Sequence, residues 1–254
     1  MARCRAPACQ TDPVDVEGWI EALRRDGDAL VAVVPADLDV PTCPGWTLVD
    51  LYHHLGSVHR WQIAQVATTD PEALQPPPKV ELPQDPDDLV DWMIDGVDEL
   101  ADLLEQVGPD HPTSSWFGPR PASFWARRAA HETAVHRWDA QATVTSPEAF
   151  PADHAVDIVD EMFEVFVPRR LERHPWPDPP VTIHLHATDT EGEWTVALGG
   201  TDISVERAHG KGDVALRGPA SDLALVMFGR IPVSRLEVFG DAAVIHRWHS
   251  SVHL

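Results

Sequence analysis

The sequence predicts an α+β protein of two domains, in which a four-helix bundle is followed by a smaller α+β domain. As far as Thr145, apolar side chains recur at the three- and four-residue spacing of amphipathic helices, with Pro-rich or acidic loops between them. After Ser146, short runs rich in β-branched residues alternate with Gly and Asp turns, which is typical of strands. A chain of 254 residues, 43% of them apolar, can build a core in each domain.

Four helices are predicted in the first domain. The second is expected to begin at Thr47, whose hydroxyl can cap it while Asp50, three residues on, forms a variant of the capping box. Three successive prolines, at 76–78, place a loop between the second and third helices. The predicted helices span 14–34, 47–67, 89–107 and 123–143.

The second domain is predicted to begin with a helix over 152–171. Four prolines within 174–180 favour a linker or rigid turn there. Strands, a helix, a last strand and a last helix are then predicted over 181–187, 193–198, 201–206, 213–217, 219–229, 233–239 and 241–249. The predicted domains are therefore 12–147 and 148–254, preceded by a disordered or loosely attached terminus over 1–11.

The charge balance excludes two classes of partner. Lys and Arg total 19 against 41 Asp and Glu, a net charge of −22, whereas nucleic acids and anionic membranes are bound by clustered positive charge. No apolar run approaches the ~20 residues of a membrane helix, and the start lacks the apolar core of a secretion signal. We therefore expect a cytoplasmic protein, with solubility as the simplest reason for the acidity and a monomer as the default state.

The strongest chemical signal lies in the fourth helix, around His131, Glu132 and His136. A zincin motif of two histidines four positions apart fails, because His131 and His136 are five apart, about 140° around a helix. Glu132 and His136 are four apart and project from one face. A carboxylate with an imidazole suits zinc or another borderline divalent ion.

A third ligand is expected from the second helix. His54 lies on the side of Leu51 and Leu55 and so faces the core, whereas His53 falls on the mostly polar side. Asp50, one turn earlier, could orient the His54 ring. The sequence therefore predicts one metal held by His54, Glu132 and His136, and three protein ligands leave the fourth position open, as in catalytic zinc sites.

Three motifs in order resemble the mycothiol-dependent maleylpyruvate isomerase family. The first is TCPGWTLVDL at 42–51 followed by His54-Leu55-Gly56, and the second is the run from His131 to Asp139. The third comprises GDVALRGPASDL at 212–223, FGR at 228–230 and VFGD at 238–241. The resemblance covers nearly the whole chain and implies a DinB-like metal-binding bundle followed by a domain similar to sterol-carrier-like folds.

Family resemblance also implies chemistry. It implies zinc on the residues matching His54, Glu132 and His136, and mycothiol as the cofactor that supplies the nucleophile. A metal-bound thiol becomes a thiolate near neutral pH and can add to an electrophilic carbon. The expected partners are thus a low-molecular-weight thiol and a small electrophile, and the expected reaction is thiol transfer or cis–trans isomerisation.

The remaining candidates carry weaker signals. Arg230 matches a family arginine and is expected to meet a substrate carboxylate, with a favourable charge at a helix C-terminus as its alternative role. Arg217 is the weaker candidate and is expected at the surface. Cys43 is expected to be a packed small residue, and Asp139 is expected to pair with Arg137 or Arg128 or, as the alternative, to support the metal ligands. The histidines treated as structural are His59, His131, His184, His186, His246 and His249.

Two other functions remain open at this stage. A degenerate relative would be a non-catalytic metal-binding or regulatory protein, with a fourth protein ligand closing the site. A metal-dependent hydrolase of thiol conjugates would use metal-bound water in place of the thiolate.

Overall fold

The structure is a computed structural model that describes residues 14–252, so the predicted terminus over 1–11, with Cys4 and Cys9, lies outside it. The described chain forms two compact units, Asp15–Glu148 and 149–252. Helices dominate the first unit and a sheet with helices makes up the second, which confirms the predicted α+β class. Within the described range, every helix is too short or too polar to span a membrane.

The first unit consists of four long helices and a short two-stranded hairpin. Helices α1 and α2 each pack against both α3 and α4. Strands β1 and β2 pair in antiparallel fashion ahead of α4. The elements are α1 (Val16–Val31), α2 (Leu48–Val66), α3 (Pro86–Val107), β1 (Pro112–Thr113), β2 (Arg120–Pro121) and α4 (Ala122–Val144).

Local sequence chemistry explains where these helices begin. The Thr47 hydroxyl accepts from the Asp50 amide while the Asp50 carboxylate accepts from the Thr47 amide, which confirms the predicted capping box. Asp85 caps α3 and Pro86 occupies its first turn, so this helix begins three residues before the predicted start at Leu89. The capping residues, rather than the apolar pattern, thus determine where α3 begins.

Helix α4 is the central element of this unit, since it is buried on almost every side. Unusually for a core helix, its buried residues include many polar ones. One of them, Arg137, donates from Nε to Asp26 of α1 at 3.1 Å, and both side chains are almost fully buried. Removing Asp26 would leave Arg137 without its buried counter-charge, a loss that costs about 3–5 kcal/mol for buried pairs, whereas Asp26 also pairs with Arg25 at 2.7 Å.

Helices α2 and α3 approach closely at Gly56. A Cβ atom at this position would lie 2.2 Å from the Trp92 ring of α3, so only glycine fits. The Arg60 guanidinium lies 4.0 Å from the centre of the same ring and donates to the Gly56 carbonyl. This packing holds α2, and with it His54, at a defined place on α3.

The second unit is built on a five-stranded sheet with the strand order β5-β4-β3-β6-β7. Strands β3 and β6 are parallel, and the other neighbours are antiparallel. Its elements are α5 (Ala152–Glu161), a π-helical turn (Met162–Phe166), α6 (Val167–Arg173), β3 (Trp176–Ala187), β4 (Glu193–Gly200), β5 (Asp202–Glu206), β6 (Val214–Gly218), α7 (Ala220–Met227), a 3₁₀ turn (Val233–Arg235), β7 (Glu237–Gly240) and α8 (Ala243–Ser251).

Two predictions for this unit were wrong. The Pro-rich segment 174–180 is not a separate linker, because β3 already begins at Trp176 and its pairing with β4 shifts register between Trp176 and Val181. Prolines are tolerated where the ladder is interrupted, since they have no N–H to donate. The predicted strand 233–239 starts as a 3₁₀ turn and becomes a strand only at Glu237.

The buried His59 of α2 should make the stability of the chain fall in acid. Its Nε2 pairs with the Thr133 hydroxyl at 2.9 Å, and burial lowers its pKa from 6.5 to about 3. Between those two values the unfolded chain binds a proton that the folded chain rejects, so stability decreases as the pH falls from 6.5 towards 3. The contribution of this one group is about 1.4 kcal/mol per pH unit at most.

Urea unfolding at several pH values between 7 and 4 would measure this effect. His59→Gln keeps an N–H for Thr133 and cannot titrate, so its free energy of unfolding should fall less steeply with acid than that of the unmodified chain. Equal slopes for the two proteins would contradict the assignment.

Candidate metal centre

The side chains of His54 and His136 meet at one carboxylate oxygen of a third residue, Glu132. The Oε1 atom of Glu132 lies 3.3 Å from Nε2 of His54 and 3.4 Å from Nε2 of His136. The two imidazole rings contact each other edge to face, with their centres 5.1 Å apart. The structure therefore brings together the three residues that the sequence singled out, and their ligand atoms lie close enough to hold one metal ion.

Helical spacing explains the contribution of α4. Glu132 and His136 are one turn apart and face α2, whereas His131 is buried without joining this group. On α2, the neighbouring His53 points away and its Nε2 bonds the Pro83 carbonyl at 2.7 Å. The choice of His54 over His53, made from the position of the apolar stripe, agrees with this geometry.

Glu132 carries a charge that the surrounding residues compensate. Its other oxygen, Oε2, accepts a hydrogen bond from Arg128, one turn earlier on the same helix. Burial opposes ionisation of Glu132, but Arg128 and the bonds to His136 and His54 outweigh it and hold its pKa well below the usual value. The carboxylate is thus ionised and ready to serve as a ligand.

A second carboxylate, that of Asp139, orients His136. Its Oδ2 lies 3.1 Å from Nδ1 of His136, and its Oδ1 accepts from the Thr42 hydroxyl at 2.6 Å. Asp139 is completely buried. Because Nδ1 is paired with Asp139, Nε2 is the ring nitrogen that faces Glu132 and His54, as in the carboxylate–histidine pairs that support metal ligands.

This geometry bears on two expectations. Of the two roles expected for Asp139, a pair with Arg137 or Arg128 and support of the metal ligands, its contact with His136 favours the second. Asp50 was expected to orient His54, but its carboxylate is used in the cap of α2. The backbone at the start of α2 and the His54 ring one turn later compete for the Asp50 carboxylate, and the backbone is the closer partner.

Cys43 is nearer to the site than the sequence suggested. Its sulfur lies 3.5 Å from Oδ2 of Asp139, and Cys43, His136 and Asp139 also form a group that could hold a metal. That group uses the Nδ1 side of His136, whereas Glu132 and His54 lie at Nε2. We favour the Nε2 group, because both Asp139 oxygens already accept hydrogen bonds and Asp139 is closed to solvent.

An aromatic residue forms one wall of the site. Trp46 lies 4.8 Å from the His54 ring and stacks at 6.3 Å on the His136 ring, centre to centre. Side-chain exposure decreases from 35% for His54 to 22% for Glu132 and 10% for His136. The site is therefore open to solvent on the His54 side and closed on the His136 side.

The residue types fit a borderline divalent metal. Two imidazole nitrogens and one carboxylate oxygen are a common ligand set for catalytic zinc. The buried Asp139 behind His136 and Arg128 behind Glu132 hold two of the ligands in place, which is the support that metal sites require.

The two predicted arginines lie in the other unit. Arg230 follows α7, is half-buried, and donates from a guanidinium nitrogen to the Phe228 carbonyl at 3.1 Å. Arg217 lies on β6 and forms an exposed ion pair with Glu237 at 2.8 Å, as expected of a surface residue. A role of Arg230 towards substrate stays a prediction.

One expectation about the second unit was wrong. His184 and His186 were expected to be structural histidines with no site around them, but Glu193 and His209 lie beside them. The sequence did not identify Glu193 as a neighbour of these histidines, because the register between two strands cannot be deduced from one strand. His209 was hidden because it lies on a loop.

Comparisons with known proteins agree with this architecture. The family model for the mycothiol maleylpyruvate isomerase N-terminal domain matches residues 20–141, and the model for the C-terminal domain of the same family matches 153–247. No curated protein matches the chain significantly.

Solved structures of a mycothiol-dependent maleylpyruvate isomerase share the fold. A histidine-to-alanine variant superposes with a TM-score of 0.63 at 12% identity, covering 88% of this chain and 92% of that one. A second crystal structure of that enzyme gives a TM-score of 0.61 at 13% identity, with the same coverage.

Asp139→Asn should weaken metal binding while leaving all three predicted ligands in place. The amide carries no charge and can present an N–H to His136, so the ring loses its orienting acceptor, and we expect zinc affinity to fall about 10- to 100-fold. Competition titration of zinc against a chromophoric chelator measures this. Asp88→Asn, an exposed change of the same kind on α3, should leave affinity unchanged. Equal affinities for Asp139→Asn and the unmodified chain would refute the orienting role.

Proposed function

The chain belongs to the mycothiol-dependent maleylpyruvate isomerase family, and from this we propose that it is a zinc-dependent enzyme that uses mycothiol to attack a small electrophile. The proposed reaction is cis–trans isomerisation of a conjugated substrate or transfer of the thiol to it. The single observation that carries the proposal is the convergence of His54, Glu132 and His136 on one point between α2 and α4.

The composition of the site favours catalysis over a purely structural metal. Three residues of the described chain converge there, and the half-exposed His54 marks the side from which a fourth ligand could enter. A structural zinc site is closed by four protein ligands, most often including several cysteines. Cys43 does not close this one, because it contacts Asp139 on the far side of the His136 ring.

Each residue then has a definite task. His54, Glu132 and His136 would hold the metal, Asp139 orients His136 from its Nδ1 side, and Arg128 fixes the Glu132 carboxylate. The Trp46 ring shields one side of the site from water and so strengthens the electrostatic interactions within it. When bound, metal and thiol together would supply a thiolate near neutral pH, a nucleophile suited to reversible addition to a conjugated double bond.

The substrate class follows from this chemistry. The proposal requires a small molecule whose double bond is conjugated to a carbonyl, so that the electron pair displaced by sulfur has an acceptor. We further propose that Arg230 binds a carboxylate of this substrate, as the family resemblance implies.

Metal content and ligand-induced stabilisation together test the proposal. The purified chain should contain stoichiometric zinc, and mycothiol should raise its melting temperature, because a ligand that binds only the native state stabilises it. His54→Ala should lose the zinc at this site and the response to mycothiol. His53→Ala is the matched control, since it removes the adjacent imidazole on the same helix without touching the site.

Two results would contradict the proposal. One is an equal metal content in the unmodified chain and in His54→Ala. The other is a zinc-loaded chain whose melting temperature does not respond to mycothiol, in which case hydrolysis of thiol conjugates in the absence of added thiol becomes the reaction to assay.

A further inference from the structure

A second cluster of metal-binding side chains surrounds one carboxylate oxygen in the sheet unit. The Oε1 atom of Glu193 lies 3.2 Å from Nε2 of His184, 3.0 Å from Nδ1 of His186 and 2.7 Å from Nδ1 of His209. The ligand atoms of His184, Glu193 and His209 all lie within 4.8 Å of one another. The cluster shares no residue with the helical site.

Strand register places the first three residues together. His184 and His186 are two apart on β3 and project from one face of the sheet. In the antiparallel pairing of β3 with β4, Glu193 lies opposite His186 and Thr195 lies opposite His184. Glu193 is therefore a direct neighbour of one histidine and a diagonal neighbour of the other, within reach of both.

The loop 207–213 brings the fourth residue, His209, over this face. Two glycines allow the loop to approach the sheet. A Cβ on Gly210 would lie 2.3 Å from Oγ1 of Thr195, and a Cβ on Gly212 would lie 2.9 Å from the backbone nitrogen of His184. The loop is thus seated directly against the two strands that carry the other members.

Both ends of this loop are anchored. Arg207 donates to Asp160 of α5 at 3.1 Å and lies over the Trp194 ring at 4.5 Å. Asp213 exchanges two 2.7 Å hydrogen bonds with the backbone of Thr182, one through its amide and one through its carboxylate. His209 is therefore held near Glu193 by contacts that do not involve its own side chain.

A hydroxyl supports the buried histidine. The Thr195 hydroxyl donates to the Ala208 carbonyl at 3.0 Å, and its oxygen lies 3.4 Å from Nδ1 of His184. An N–H at Nδ1 pointing to Thr195 leaves the Nε2 lone pair directed at Glu193.

We propose that His184, Glu193 and His209 form a second binding site for a divalent transition metal, with His186 orienting the Glu193 carboxylate. Imidazole and carboxylate donors select zinc, nickel or copper rather than magnesium or calcium, which prefer oxygen ligands alone. A bound ion would cross-link β3, β4 and the 207–213 loop. The site is independent of the proposed catalytic function, because it uses other residues in the other unit.

Equilibrium dialysis against zinc, followed by elemental analysis, tests this proposal on the full chain. His209→Ala is the informative variant, because the side chain is 81% exposed and its removal leaves the fold intact. We expect His209→Ala to hold one zinc fewer per chain than the unmodified protein. His246→Ala removes an exposed histidine from α8 of the same unit and should change nothing.

A combination with His54→Ala separates the two sites. If His209→Ala loses one zinc in both the unmodified and the His54→Ala backgrounds, the second site is supported whether or not the helical site binds metal. Hydrogen exchange gives a second readout, since zinc should slow exchange across 207–213 in the unmodified chain and not in His209→Ala. Equal zinc content with and without His209 in both backgrounds would overturn the proposal, as would loop exchange that zinc leaves unchanged.

Discussion

An ionised carboxylate within the helical unit is the constraint on which the site depends. Glu132 lies on the most buried helix, where a charge is tolerated only if opposite charge and hydrogen bonds compensate it. Arg128 satisfies one oxygen, while the imidazoles of His54 and His136 face the other. The same compensation that makes the charge tolerable brings together three side chains that could hold a divalent metal.

The surrounding helices serve to keep this arrangement in place. Gly56 lets α2 lie against Trp92 of α3, and the buried Arg137–Asp26 pair joins α1 to α4. The loop before α2 contributes Thr42, whose hydroxyl fixes Asp139 behind His136. Each of these contacts lies outside the predicted ligand set, yet each restricts the freedom of a helix or side chain that carries a ligand. Metal sites depend on such support for both affinity and geometry.

Both units place several imidazoles around one carboxylate, but different structural elements bring the residues together. In the helical unit, Glu132 and His136 come from one turn of a single helix, and Arg128 balances the carboxylate. In the sheet unit, Glu193 and His184 come from paired strands, and His209 comes from a loop that two glycines allow to approach the sheet. In an acidic chain with a net charge of −22, both clusters place several imidazoles beside a carboxylate, a donor set that suits a cation rather than an anion.

The sequence by itself determined the α+β class, most of the helices, the capping box at Thr47, and which three side chains of α2 and α4 converge, His54, Glu132 and His136. These features rest on local periodicity and spacing, since residues four apart on a helix share a face wherever the helix lies. Only the tertiary structure decided that Asp139 supports His136, that Asp50 is used in a cap, and that Glu193 and His209 join His184. The reason is physical: these contacts depend on strand register, on loop path and on competition for one carboxylate, which are set by packing between segments distant in sequence.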